Sequence, residues 1–251
     1  MTFEQRLPSL KLRHAEADAL LHVHAALLHE LQFQLRNLTA VVQRMSHEAN
    51  TSCMQTQITQ YTCVCHSLKH ISPSGGGWTV VQRRRDGSVS FNRGWSEYRD
   101  GFGEPRGEHW LGNRQLHLLS SQGQYSLRID LQDWSHTHRH AHYHSFRIDD
   151  EENQYRLHVS GFSGTVEDSF SWYHNQQSFS TPDTGNICAE ISHSGWWFHQ
   201  CFYSNLNGVY YKNLLGPDGI VWFSWKDSDF YSLKAVVMMI RPRSFRPHLS
   251  P

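Results

Sequence analysis

The chain has no continuous apolar run of transmembrane length, which excludes a membrane-spanning helix and any membrane insertion of that kind. It has no surplus of either charge. Its 23 Lys and Arg balance 23 Asp and Glu, so no bulk field draws it to nucleic acid or to an anionic membrane. It also lacks a catalytic signature. Gly161-Phe-Ser-Gly164 falls short of a nucleophile elbow, and Gly75-Gly-Gly77 is not followed by the Lys-Ser/Thr of a phosphate loop. His29-Glu30 and His47-Glu48 each lack the second histidine of a zinc-protease helix. These gaps make a binding protein the expected class, with no enzyme activity, cofactor or metal. The opening Met1-Thr-Phe-Glu-Gln-Arg-Leu-Pro8 also lacks the basic start and apolar stretch of a signal peptide. Either the protein is not secreted or the natural start lies upstream; the second is expected.

What is present is aromatic. Nine Trp, ten Tyr and thirteen Phe supply both core and contact area. Cys188 and Cys201 bracket a run holding Trp196-Trp197-Phe198, and Ser204-Asn-Leu-Asn-Gly208 follows at once. Such a passage suits a loop-built recognition surface better than an active site. Five cysteines leave an odd thiol, and spacing alone does not fix the compartment. Two sequons, at Asn37 and Asn50, fit a glycosylated extracellular protein.

Residues 10–46 are expected to form one helix. Leu21, Leu28, Leu35 and Val42 recur every seven residues, with Leu31, Leu38 and Met45 at the complementary position. That register makes a coiled-coil seam. Leu20, Leu27 and Val41 widen it, so a trimer or larger assembly is expected, against an amphipathic helix lying on its own domain. Residues 47–74 read as a polar linker carrying Cys53, Cys63 and Cys65. From Gly75 short β-forming runs appear at 78–82, 125–131, 155–159 and 235–240, separated by Gly, Asn and Asp turns. Ser96–Asp100 is expected to be a short helix stopped by Gly101. The fold class is α+β with a twisted, mostly antiparallel sheet and long loops.

From about Gly75 to Pro242 the sequence resembles the fibrinogen C-terminal domain. The carriers are Gly75-Gly-Gly-Trp-Thr-Val-Val-Gln-Arg-Arg84, Asp86-Gly-Ser-Val89, Gly107-Glu-His-Trp-Leu-Gly-Asn113, Tyr173-His-Asn175, the Cys188–Cys201 passage and Tyr231-Ser-Leu-Lys234. A coiled coil ahead of such a domain resembles the angiopoietin and angiopoietin-like group. The resemblance implies a domain over 75–244 with a tail at 245–251. It also implies a Cys188–Cys201 disulfide contributing about 2–4 kcal/mol. A secreted, non-enzymatic ligand is implied, binding a cell-surface receptor or integrin through the loops at 201–208 and 213–225. The ligand-binding candidates are Phe202, Tyr203, Asn205, Trp222, Trp225 and Tyr231. Cys53, Cys63 and Cys65 are candidates for interchain disulfides; a zinc site with His66 and His70 is the less expected alternative, because one residue between Cys63 and Cys65 is tight.

The departures from the family pattern bear on function. Relatives carry a cysteine-bearing segment before the Gly-Gly-Gly-Trp motif and a longer loop after Tyr210-Tyr211. Both are read here as deletions, which opens the alternative of a truncated isoform with impaired function. Calcium-binding relatives use alternating aspartates where this sequence keeps Asp183 alone, so no tight calcium site is expected. A ficolin-like lectin for acetylated glycans is the other alternative, with Phe202 standing where such lectins place a histidine. Finally, His136, His138, His140, His142 and His144 alternate. Extended, they share one side, and the resemblance turns Ala141 and Tyr143 inward and the histidines outward. The row offers ligands for Zn²⁺ or Cu²⁺, or a polyanion site once charged, against the plainer expectation of a solvated face.

Overall fold

The computed structural model of the protein describes residues 76–199, 201, 203–212, 216–228 and 230–246. The expected coil over 10–46, the linker with Cys53, Cys63 and Cys65, the sequons at Asn37 and Asn50, and Phe202 lie outside these residues.

A seven-stranded antiparallel sheet organises the described domain. Its strands are β1 (Thr79–Arg84), β2 (Phe102–Gly103), β3 (His109–Trp110), β4 (Tyr125–Gln132), β5 (His138–Ile148), β6 (Leu157–Gly164) and β9 (Ala235–Pro242), in the spatial order β2-β3-β1-β9-β4-β5-β6. A two-stranded ribbon pairs β7 (Ser204–Asn205) with β8 (Val221–Trp222). β4 shows how the sequence selects the sheet: Leu127, Ile129 and Leu131 are buried on one face, while Arg128, Asp130 and Gln132 are half-exposed on the other. β9 lies between β1 and β4 and buries Val236, Met238 and Ile240. The strand nearest the C-terminus therefore closes a sheet begun more than 150 residues earlier, so the core cannot assemble from local contacts alone.

Four short helices flank the sheet among the described residues: α1 (Trp95–Asp100), α2 (Asn113–Ser120), α3 (Ser171–His174) and α4 (Ile187–Ile191). α1 ends at Gly101, whose φ of 96° and amide bond to the Glu97 carbonyl make the expected stop. α4 starts at Asn186, whose side chain accepts from the amides of Cys188 and Ala189. Between sheet and helices stand Tyr98, Trp110, Phe170, Phe179, Trp196 and Trp197, packed edge-to-face or tilted, with Trp110 stacked on Phe179, at centroid distances of about 5–6 Å, such as 5.2 Å for Trp196–Trp197.

One buried charge pair joins the sheet to the loops. Arg84 at the end of β1 lies 3.8 Å from Glu108, with both residues' side chains shielded from solvent. Glu108 accepts hydrogen bonds from the amides of Arg85, Asp86, Gly87 and Val89 at 2.8–3.2 Å. The Asp86-Gly-Ser-Val89 motif is thus a turn wrapped on a carboxylate. Burial lowers the Arg84 pKa to about 10, with Glu108 opposing the shift. Removing one member of such a pair strands the other. Glu108→Ala is expected to cost about 3–5 kcal/mol in urea unfolding; a loss under about 1 kcal/mol, the scale of a surface pair, would contradict this role.

Candidate functional site

The Ser204–Gly208 motif is an anchor. Arg84 donates to the carbonyls of Leu206 (3.2 Å) and Gly208 (2.6 Å), and Gln82 donates to the Leu206 carbonyl (2.8 Å). Asn207 donates to the Gly195 carbonyl at 2.8 Å, and Asn205 accepts from the Ser194 hydroxyl at 3.0 Å. Gly208 lies so close to the Gly219 carbonyl that any Cβ would collide with it. Cys188 and Cys201 are disulfide-bonded with Cα atoms 4.7 Å apart, which ties α4 to the segment entering this anchor.

Three of the expected ligand-binding residues lie inside the protein. Asn205 and Trp222 are inaccessible, and Trp225 is 5 % exposed. The reason is hydrogen bonding. The Trp222 indole donates to the Glu167 carbonyl (2.9 Å), the Trp225 indole to the Asp133 carboxylate (3.3 Å), and Asn205 is held by Ser194. Tyr231 is half-buried, with the Lys226 ammonium 5.9 Å from its ring centroid. Tyr203 is half-exposed and belongs to a surface that the sequence did not disclose.

That surface is a stack of three rings. Tyr203 lies between Tyr173 of α3, 3.4 Å away between centroids, and Phe223, 4.7 Å away, with interplanar angles of 24° and 21°. Phe223 opens a 3₁₀ turn, Phe223–Trp225, that turns Trp225 inward. The Phe223 amide donates to the Tyr203 carbonyl at 3.0 Å, fixing the two loops together. Trp172, beside Tyr173 in sequence, is 84 % exposed. Past Phe223, Ser224 lines a cleft of about 470 Å³ with Arg139, Thr165, Val166, Glu167 and Asp227. Apolar rings thus adjoin a charged cleft. Across the same loops, Asp218 accepts from the Tyr211 hydroxyl (2.9 Å) and pairs with His193 (3.2 Å).

Asp183, the lone acid of the expected turn, has a structural partner. Both its oxygens accept from the Trp95 amide at the start of α1, and Thr181 donates to one of them. Burial pushes its pKa up, but these hydrogen bonds win and hold it below the usual carboxylate range. Among the described residues no group of three or more His, Cys, Asp or Glu side chains is placed to hold a metal ion.

Two buried histidines make the fold acid-sensitive. His174 on α3 donates through Nδ1 to the Trp197 carbonyl at 2.7 Å, and its buried Nε2 has no partner for a second proton. Burial lowers its pKa to about 4, and that of His109 on β3 likewise to about 4, there with Arg83 adding to the effect. The unfolded protein takes up protons below about pH 6.5 that the folded protein refuses. Stability is therefore full above that pH and falls as pH drops towards 4, by up to about 1.4 kcal/mol per pH unit for each histidine. Urea midpoints measured from pH 7 to pH 4.5 check this, and His174→Gln is expected to flatten the slope.

Comparison with known proteins places this architecture. The profile of the C-terminal globular domain of fibrinogen beta and gamma chains matches residues 37–243, beginning upstream of Gly75. Bovine fibrinogen-like protein 1 is 48 % identical over 199 residues, covering 70 % of this chain and 62 % of that protein. Human angiopoietin-related protein 7 is 46 % identical over 184 residues, covering 69 % of this chain and 52 % of that protein. The chain thus spans less than two thirds of the length of these relatives. The solved fibrinogen-like globe domain of human ANGPTL2 aligns with a TM-score of 0.65 at 43 % identity, covering 69 % of this chain and 83 % of that one. The chain belongs to the fibrinogen C-terminal domain family, with fibrinogen-like protein 1 and the angiopoietin-related proteins among its relatives.

Proposed function

We propose that this protein is a secreted, non-enzymatic ligand of angiopoietin-like type that engages a cell-surface receptor or integrin through the Tyr173–Tyr203–Phe223 surface. The observation that carries the reading is the half-exposed ring stack held on a buried, hydrogen-bonded frame. Rigid aromatics lose little entropy on binding and dominate the energy of protein interfaces, while polar rims supply orientation. The cleft with Arg139, Glu167 and Asp227 supplies such a rim. A protein loop bearing an apolar anchor beside a charged group fits it. The wording Val236–Pro242 with Asn186-Ile-Cys188 supports a place near angiopoietin-related protein 5 within the group.

The heptad register over 10–46 supports assembly into trimers or larger oligomers, and Cys53, Cys63 and Cys65 would supply interchain bridges. Linking several heads raises avidity by orders of magnitude without any new contact. Asn37 and Asn50 would carry glycans.

The test is binding of the fluorescently labelled full-length protein to a panel of cultured cells, comparing it with Trp172→Ala and Tyr203→Ala variants. Both truncations remove exposed or half-exposed rings, so the fold is expected to survive. Saturable binding is expected to weaken by at least ~30-fold, equivalent to about 2 kcal/mol. Equal binding by all three proteins would place the contact elsewhere.

A further inference from the structure

We propose that the outer face of β5 is an acid-gated docking surface for a linear sulfated polysaccharide. Ala141 and Tyr143 point into the core, and the alternate residues form a row: His138 and His144 exposed, His140 and His142 half-exposed. From His138 to His144 the row runs about 20 Å at strand rise, long enough to track a polymer rather than grip a single ion.

The neighbouring strands complete the face. On β4, Arg128 lies opposite His142, Asp130 opposite His140 and Gln132 opposite His138. On the β6 side stand Ser163, opposite His142, and Thr165, whose hydroxyl accepts from the His140 amide. Arg241 of β9 acts electrostatically on His142, and the Trp78 ring meets His142 edge-on at 6.3 Å. One end of the row carries His136, within 3.5 Å of the Lys234 ammonium. The other carries Arg147, Asp149 and His158.

Charge complementarity identifies the occupant. Both carboxylates on this face are already paired, Asp130 with Arg128 at 2.8 Å and Asp149 with Arg147 and His158 at 3.3 and 2.8 Å. The remaining titratable groups named on the face are cations or imidazoles. Burial first, and then Arg128, lower the affinity of His140 and His142 for protons. At pH 7.4 His140 and His142 are therefore neutral, and acid adds their charge to the cations Arg128 and Arg241 that flank them. Sulfate esters keep their charge at the pH where imidazoles gain theirs. The Trp78 ring beside His142 is only 6 % exposed and so offers no face for stacking a base, and no apolar group of the row projects for insertion into a membrane. By linkage, a bound polyanion draws protons onto the row as strongly as protons draw the polyanion.

The experiment measures heparin affinity of the full-length protein against salt at pH 7.4 and at the lowest pH where near-ultraviolet circular dichroism shows the fold intact. The comparison protein carries His138→Gln, His140→Gln and His142→Gln together; His138→Gln with His144→Gln serves if that variant does not fold. Acidification is expected to tighten binding at least ~10-fold and to steepen the log–log salt slope by about three, one for each added cation. The triple variant is expected to lose both changes, and the double variant part of them. An acid increment retained in the variants, or none in the parent, would overturn the proposal. Stronger acid-induced binding to phosphatidylserine vesicles or to poly(U) than to heparin would overturn the choice of ligand.

Discussion

Arg84 and Glu108 form a buried charge pair on which the rest of the domain depends, because each end organises a different region. Glu108 gathers four amides into the turn after β1. Arg84 reaches across to the Leu206 and Gly208 carbonyls and lays its guanidinium 3.9 Å above the Phe91 ring. A buried ion pair is seldom the most stabilising choice for a core. Here it also satisfies backbone groups of loops that have no ladder of their own, a task an apolar pair cannot perform.

The consequences propagate outward. Leu206 and Gly208 held on β1 fix β7 and its partner β8, and these place Trp222 and the 3₁₀ turn that follows. That turn presents Phe223 outward to Tyr203 while Trp222 and Trp225 are drawn inward by their indole hydrogen bonds. The aromatic surface is thus the outer layer of a column whose inner layer is the sheet. The disulfide between Cys188 and Cys201 closes the same column from the α4 side.

Much of the fold was legible in the residues themselves. The alternation in β4 and the clustered β-formers of β9 mark strands, and Gly101 marks the end of α1, while the inward side of β5 at Ala141 and Tyr143 came from the family resemblance. The candidate site was legible only in part. Residue type told that tryptophans would matter but not which way they face: Trp222 and Trp225 find their acceptors at Glu167 and Asp133, 55 and 92 residues away. Asn205 was expected on the ligand-binding surface, yet it is buried and its side-chain carbonyl accepts from Ser194. Tyr173 and Phe223 lie 50 residues apart in the sequence and meet through Tyr203, a pairing that no local period encodes. Asp183 stands alone in the sequence, and its bond to the α1 amide depends on a contact 88 residues distant.

Hydrogen exchange tests the central claim most directly. The Val209 amide donates to the Asp218 carbonyl and the Phe223 amide to the Tyr203 carbonyl, so both report on the loop column; Met238 in β9 reports on the sheet core. If the buried pair makes column and sheet one cooperative unit, the amides of Val209 and Phe223 exchange with the same opening free energy as that of Met238, and all three fall together in an Arg84→Met variant. Fast exchange at Val209 and Phe223 beside a fully protected Met238 in the parent protein would show that the loops open on their own, and the buried pair would not be what unites them.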